Sequence, residues 1–282
     1  MRDTLKMAAS HPDSATLRML AAQAARIGAG AALLATRGPI AVTLKADDSE
    51  VSQADLASQR AITDAIRSAR PDDAIVGEES DSQPPATAGA SPYAWIIDPI
   101  DGTRNFLRGV PLWAVSVGVL RNGRPIAGAI YHPAMDEMFD GSPEEGAFVN
   151  GRPVRRLDEP RATREFRSPK IVAAIPSTSE GTLCSHVDAW IERAVIRSLG
   201  STALHLAYVA AGRFDAALIS DSKLWDIAAG WALIIAAGGI CESLDPRATF
   251  PVDVSTHPNT PFPCVAGRSP AILSRLAVSL RS

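Results

Sequence analysis

Trp95-Ile96-Ile97-Asp98-Pro99-Ile100-Asp101-Gly102-Thr103-Arg104-Asn105-Phe106 is the stretch whose reading decides the fold. It opens as a short apolar run, Ala94 to Ile97, of a length suited to a buried strand. The spacing predicts a break at Asp98-Pro99, because proline has no backbone donor to offer a ladder. Asp98 and Asp101 then face one another around a turn, and Gly102 lets a ligand come close to the backbone. Thr103 offers a hydroxyl and a main-chain N–H at a predicted helix start. Carboxylates crowded at a strand end repel one another and need a cation to persist as anions. Hard oxygen donors of this kind suit Mg²⁺, which leaves positions for phosphate and water. An Asp-x-x-Asp turn taken alone fits a capped, solvated turn equally well, so the flanking chain has to separate the two.

Composition sets wide limits. A chain of 282 residues can bury a large core in one big domain or two smaller ones. With 46% hydrophobic and 21% charged residues and a net charge of −3, it has no electrostatic footprint for nucleic acid or an anionic membrane. Cys184, Cys241 and Cys264 are far apart and odd in number, which indicates neither a disulfide framework nor a zinc cluster. Met1 to Ser14 lacks the apolar core of a signal peptide, and the apolar run Ile227 to Ile240 is too short to span a bilayer. A cytoplasmic enzyme or binding protein is expected.

Read in order, the chain predicts a first helix capped at Asp13 or Ser14, with Leu17, Leu20, Ala24, Ile27, Ala31 and Leu34 inward and Gly38-Pro39 as its end. A polar, acidic stretch from Val42 follows, then a helix starting near Asp55 with Leu56, Ile62 and Ile66 inward, stopping before Pro71. Ala74 to Gly77 reads as a buried strand running into Glu78-Glu79, and Ser80 to Ser91 as a surface loop. Trp113 to Leu120, the Asn122-Gly123 turn, Ile126 to Tyr131, and the Met138-Phe139 and Ala147 to Val149 pair closing on Asn150-Gly151 form an antiparallel succession. The charged stretch Arg152 to Ser168 marks a boundary, giving an N-terminal α+β subdomain over 1–155 and a C-terminal α/β subdomain over 156–282. In the latter, strands at 170–175, 195–199, 214–219, 240–244 and 264–266 alternate with helices at 182–193, 202–209, 225–238 and 271–280. The fold class is α/β in layers.

Several motifs now fall in one order: Leu44-Lys45, Val51 to Asp55, Gly77-Glu78-Glu79-Ser80, Trp95 to Phe106, the Gly141 to Asn150 hairpin, Leu199-Gly200-Ser201 and Trp225-Asp226-Ile227-Ala228-Ala229-Gly230. In order and spacing, over nearly the whole chain, they resemble the inositol monophosphatase family of lithium-sensitive, Mg²⁺-dependent phosphatases. The superfamily includes fructose-1,6-bisphosphatases and 3′-nucleotidases. The resemblance implies a layered αβαβα sandwich of the sugar-phosphatase type, with a large, mainly antiparallel sheet in the N-terminal half. It implies two to three Mg²⁺ ions, with Glu78, Asp98 and the Ile100 carbonyl as ligands of one, and Asp98, Asp101 and Asp226 as ligands of another. It gives Asp55 and Thr103, with Glu78, the catalytic roles of placing and deprotonating the attacking water. Asp101, Gly102, Thr103, Gly200, Ser201, Thr202 and Asp226 would contact substrate.

The chemistry agrees with these residue types. A phosphate monoester dianion repels hydroxide, so catalysis calls for a carboxylate-held cation and backbone donors, not for a nucleophilic cysteine or histidine. His11, His132, His186, His205 and His257 show no metal spacing and read as structural or surface residues. The partner implied is a small-molecule phosphate ester, inositol-1-phosphate-like, with no nucleic acid and no membrane, in a homodimer by resemblance. Two departures bear on the substrate. Ile219 stands where the family's inositol phosphatases place a hydroxyl-binding glutamate, seven residues before Asp226, with Ser220 or Asp221 as possible substitutes. Arg104 replaces the usual second threonine, and Asp101 to Phe106 with Arg108 to Trp113 is similar to the histidinol-phosphatase and 3′-phosphoadenosine-phosphatase branches. A reading of another class is a regulatory, protein-binding member with little catalysis.

Overall fold

The computed structural model describes residues 13–36, 42–44, 50–79, 91–157, 170–177, 184–254 and 260–276. Helix α1 (Ser14–Ala35) is followed by the short antiparallel pair β1 (Val42–Leu44) and β2 (Glu50–Ser52), then α2 (Gln53–Ala69). A seven-stranded sheet comes next, from β3 (Ala74–Gly77), β4 (Tyr93–Asp101), β5 (Ala114–Arg121), β6 (Arg124–His132), β7 (Glu137–Ser142), β8 (Gly146–Val149) and β9 (Arg152–Pro153), in that spatial order. Helix α3 (Thr103–Leu107) sits between β4 and β5. Only the β3–β4 pairing is parallel. Both Asn-Gly turns are present, with Asn122 and Gly123 at φ 50° and 74° and Asn150 and Gly151 at 49° and 72°. Those positive angles are what asparagine and glycine tolerate in a two-residue hairpin.

The remaining elements are β10 (Ile171–Ala174), α4 (Cys184–Arg193), β11 (Ala194–Arg197), α5 (Thr202–Ala210), β12 (Ala216–Ile219), α6 (Leu224–Ala236), β13 (Ile240–Ser243), β14 (Cys264–Gly267) and α7 (Pro270–Arg275). Their strands form a mixed sheet in the order β11-β10-β12-β14-β13. The chain stacks in five layers. Helices α1 and α2 cover one face of the large sheet, α5 and α6 lie between the two sheets, and α4 and α7 cover the far face of the second. Helix α6 is apolar nearly all round because both its sides are covered, which accounts for the Ile227 to Ile240 run. Among the described residues no helix is long and apolar enough to cross a membrane.

Several sequence expectations need correction. Helix α1 buries Leu17, Ala21, Ala24, Ala25, Gly28, Ala29 and Ala32, while Ile27 and Leu34 are 40% and 58% exposed. Small residues win that face because α2 lies too close for larger ones. A Cβ on Gly28 would stand 2.5 Å from Ile62 and 2.9 Å from the Ser58 hydroxyl. Leu56, expected inward, is exposed. Strand β4 does not break at Pro99 but runs to Asp101 through a register shift between Asp98 and Asp101. Pro99 needs no ladder donor inside that bulge. The Gly38-Pro39 stop and positions 80–90 of the expected surface loop lie outside the described residues.

Candidate active site

The ends of β3 and β4 and the starts of α2, α3, α5 and α6 meet at one place, and each brings a predicted residue. Helix α2 begins with Ser52 as N-cap and Asp55 as its third residue. Asp55 Oδ2 accepts from the Ser52 N–H at 2.8 Å and from the Ser52 hydroxyl at 2.6 Å. The sequence signal for this was present, since Ser52-x-x-Asp55 is a capping-box spacing. Asp55 is fully buried, and its Oδ1 faces Thr103 Oγ at 3.5 Å. The Thr103 hydroxyl donates to the Ile100 carbonyl at 3.0 Å. Asp226 repeats the arrangement on α6, as third residue of the helix, with Oδ2 accepting from the Lys223 N–H at 2.7 Å.

Asp98 closes the bulge by accepting from the Ile100 N–H at 3.0 Å, and the Ser58 hydroxyl holds the Pro99 carbonyl at 3.0 Å. Asp101 reaches across to the second sheet's layer. It accepts from the Ser201 hydroxyl, from the Thr202 N–H at 3.3 Å and from the Ala203 N–H at 2.8 Å, so it caps α5 about a hundred residues later. The Ser201 hydroxyl also accepts from the Leu204 N–H at 3.2 Å. It thereby joins Asp101 to the helix cap. The Thr202 hydroxyl is within hydrogen-bond distance of Ser222 Oγ at 3.0 Å. Gly102, at φ 95°, and Gly200, at 72°, meet back to back, and a Cβ on Gly102 would approach the Gly200 carbonyl at 3.1 Å.

Asn105 escaped the sequence reading, and His205 was read there only as a structural or surface residue; both hold the Gly200 turn. Asn105 donates to the Leu112 and Leu199 carbonyls, both at 2.7 Å, tying α3 to the Leu199-Gly200 turn. His205 Nε2 accepts from the Leu199 N–H at 2.9 Å, holding the same turn from α5. His132 is likewise buried and bonded to the Pro111 carbonyl. Both histidines are structural, as expected from the sequence; the side chains of His11, His186 and His257 lie outside the described residues.

Ligand oxygens of Asp98, Asp101 and Asp226 come within 4.8 Å of one another. Glu78 stands at the end of β3, its N–H donating to the Ile97 carbonyl at 3.0 Å beside Asp98. Burial, with the charges of Glu78, Asp101 and Asp226, drives Asp98 well above the usual carboxylate range. Burial and the charges of Asp101 and Glu78 push Asp226 up to about 8. Asp101 is raised by burial to about 6, held back by the Ser201 hydroxyl and the α5 N–H groups. Asp55 is also raised, chiefly by burial. A cluster of buried and half-buried carboxylates that repel one another in this way, all hard oxygen donors, fits a divalent cation such as Mg²⁺.

Ile219 is 2% exposed, with its side chain in the apolar layer between the sheets. It cannot contact a substrate hydroxyl. Ser220 and Ser222 are buried, while Asp221 is exposed.

Residues 13–266 match the family model described as the inositol monophosphatase family. The chain is similar to an inositol-1-monophosphatase of Mesorhizobium japonicum, 38% identical over 208 residues, which cover 72% of this chain and 76% of that one. It is similar to the Nus factor SuhB of Xylella fastidiosa at 37% identity, over 68% of each chain. In structure it is similar to the extragenic suppressor protein suhB of Bartonella henselae, with a TM-score of 0.74 and 32% identity, over 93% of this chain and 96% of that one.

Proposed function

The chain belongs to the inositol monophosphatase family and is a phosphoric monoester hydrolase; on that premise we propose that it hydrolyses a small-molecule, inositol-1-phosphate-like ester at the carboxylate cluster. The observation that supports this most is the convergence of ligand oxygens of the buried Asp98 and Asp101 and the half-buried Asp226 within 4.8 Å of one another. The family is Mg²⁺-dependent in general. We assign Glu78, Asp98 and the Ile100 carbonyl to one ion, and Asp98, Asp101 and Asp226 to a second, with Glu78 shared with a third. When bound, Mg²⁺ supplies charge neutralisation and Lewis acidity.

The chain's own residues do the rest. Thr103 passes its hydroxyl proton to Asp55 Oδ1 as its oxygen takes one from the attacking water, so threonine is unchanged and Asp55, already held by Ser52, ends with the single proton released. Gly102 and Gly200 let the start of α3 and the Leu199-Gly200 turn pack directly against one another, and Asn105 and His205 keep that turn from moving. Hydrogen-bonded donors preset in this way need no reorganisation as charge develops. The 1–155 and 156–282 subdomains divide the work, the first carrying most metal ligands and the second supplying Asp226 and the Gly200 turn.

The test is phosphate release from inositol 1-phosphate, histidinol phosphate and 3′-phosphoadenosine 5′-phosphate, with Mg²⁺ and with excess chelator. Mg²⁺-dependent turnover of one of these supports the reading; full hydrolysis in chelator overturns it. A second reading, a protein-binding regulator, takes support from the relatives named Nus factor SuhB. It is favoured instead if no ester is turned over while Mg²⁺ still raises the melting temperature.

A further inference from the structure

Helix α2 contributes more to the carboxylate cluster than Asp55. Asp55, Ser58 and Gln59 are spaced three and four residues apart, which puts them on one side of the helix. Asp55 and Ser58 are fully buried there and Gln59 is half-buried. That side lies against the ends of both β3 and β4.

At β3, Gln59 Oε1 accepts from the Glu79 N–H at 2.9 Å. Glu79 follows Glu78, whose own N–H donates to the Ile97 carbonyl at 3.0 Å. The backbone of Glu78 is therefore tied on both sides, to β4 by its own amide and to α2 by the next. The contact depends on glycine at position 77, because a Cβ there would lie 2.3 Å from Gln59 Oε1 and 2.6 Å from its Cδ. At β4, the Ser58 hydroxyl donates to the Pro99 carbonyl at 3.0 Å, inside the bulge between Asp98 and Asp101. The next carbonyl, that of Ile100, is the one assigned to a metal ion.

Consecutive residues of one helix thus grip both metal-bearing strand ends, and the same helix carries Asp55. The Glu78 charge acts on Asp55, Asp98, Asp101 and Asp226 alike, so these strand ends push one another apart. The hydrogen bonds from α2 oppose that separation. An uncharged amide at position 59 supplies its acceptor without adding another negative charge.

We propose that Ser58 and Gln59 are positioning residues of the metal site, Gln59 setting Glu78 and Ser58 setting the Ile100 carbonyl relative to Asp55. This rests on the metal assignment made above with the phosphatase reading.

The experiment measures the response of the full chain to Mg²⁺ in two ways. One is the Mg²⁺ concentration needed for a given rise in melting temperature above that in EDTA, which scales with the dissociation constant. The other is the Mg²⁺ concentration for half-maximal phosphate release from inositol 1-phosphate. Gln59→Met removes the acceptor at similar volume and should raise both concentrations about tenfold or more, as expected for partners that orient metal ligands. Its KM for the ester at saturating Mg²⁺ should change little. Ser58→Ala should raise both concentrations in the same way. Gln59→Glu keeps the acceptor and should leave them at or below the wild-type values. A merely structural role would lower the melting temperature in EDTA and leave the Mg²⁺ concentrations where they were. Unchanged Mg²⁺ responses in Gln59→Met and Ser58→Ala, or a rise in Gln59→Glu equal to that in Gln59→Met, overturn the inference. If Gln59→Met fails to fold, an unchanged response in Ser58→Ala overturns it alone. A wild type that Mg²⁺ stabilises but that releases no phosphate from any ester overturns the phosphatase reading, and the melting titration still decides the inference. A wild type that does not respond to Mg²⁺ at all overturns both.

Discussion

Gly128→Ala adds one methyl group to the middle of the large sheet, two strands away from β4, yet it should cripple the site. An ideal Cβ at Gly128 lies 2.7 Å from both the Cα and the carbonyl oxygen of Ala229 on α6. Its cross-strand partner Gly118 is just as close, with a Cβ that would stand 2.8 Å from that of Ala228. Carbon atoms in contact settle at about 3.5 Å or more, so α6 must lift by about 0.8 Å, since backbone cannot rotate out of the way. Asp226 is on the same helix, one turn before Ala229, whereas Asp98 and Asp101 are on the sheet. The lift therefore opens the carboxylate cluster. Overpacking of this kind costs about 1–3 kcal/mol, and displacement of a catalytic group by about 1 Å costs about 10²-fold in rate. The assay is kcat as a function of Mg²⁺ concentration, run beside thermal denaturation. The expected result is a raised Mg²⁺ requirement and a kcat lowered about 10²-fold, with a melting temperature down by several degrees and an unchanged far-ultraviolet circular dichroism spectrum. Gly30→Ala is the control: a Cβ there meets nothing within 4 Å, and it should stabilise α1 by about 0.5–1 kcal/mol without touching activity. A Gly128→Ala protein with wild-type melting and Mg²⁺ dependence would refute the link between glycine packing and carboxylate spacing.

Asp98→Asn should lower kcat at least ~10²-fold, because it removes the charge assigned to a ligand shared by two ions. It should also melt no lower than wild type in chelator, since one of several mutually repelling buried carboxylates is gone. Steady-state kinetics and a melt in EDTA check both halves. Burial pushes His205 down to about 4 from its ordinary 6.5. Between those values the unfolded chain takes up a proton that the folded chain refuses, so stability falls as the pH drops through that window. The loss is about 2 kcal/mol between pH 7 and pH 5, complete below pH 4. Urea denaturation of wild type minus His205→Gln isolates it, and a pH-independent difference would count against the buried neutral ring. Ile219→Glu should unfold the protein by several kcal/mol, since it places a carboxyl in the apolar layer between the sheets. A well-folded Ile219→Glu with new inositol-phosphate activity would show instead that this side chain reaches the site.

What the amino-acid sequence determined by itself is whatever depends on neighbours in the chain. Strand β3, the Asn-Gly hairpins and the Gly102-Thr103 start of α3 are local geometry, set by period-2 patterning and by residues that accept positive φ. Asp98 and Asp101 stood out for the same reason, because a strand, a turn and a helix start adjoin them, whereas Glu78 and Asp226 entered only through the family resemblance. Only the tertiary structure decided the rest. Helix α1 turned Ile27 and Leu34 outward because α2 lies close enough to demand glycine and alanine, a condition no hydrophobic stripe reveals. The β4 strand survived its proline because Asp98 bonds the Ile100 N–H across the bulge. Asp101 proved to be the cap of a helix that begins at Thr202, which requires the two sheets to be stacked first. Ile219 faces the interior because a strand alternates its side chains, and which face is buried depends on the layer packed against it. How closely α6 approaches the large sheet is likewise a tertiary matter, since a Cβ on either of the paired Gly118 and Gly128 would stand within 3 Å of Ala228 or Ala229.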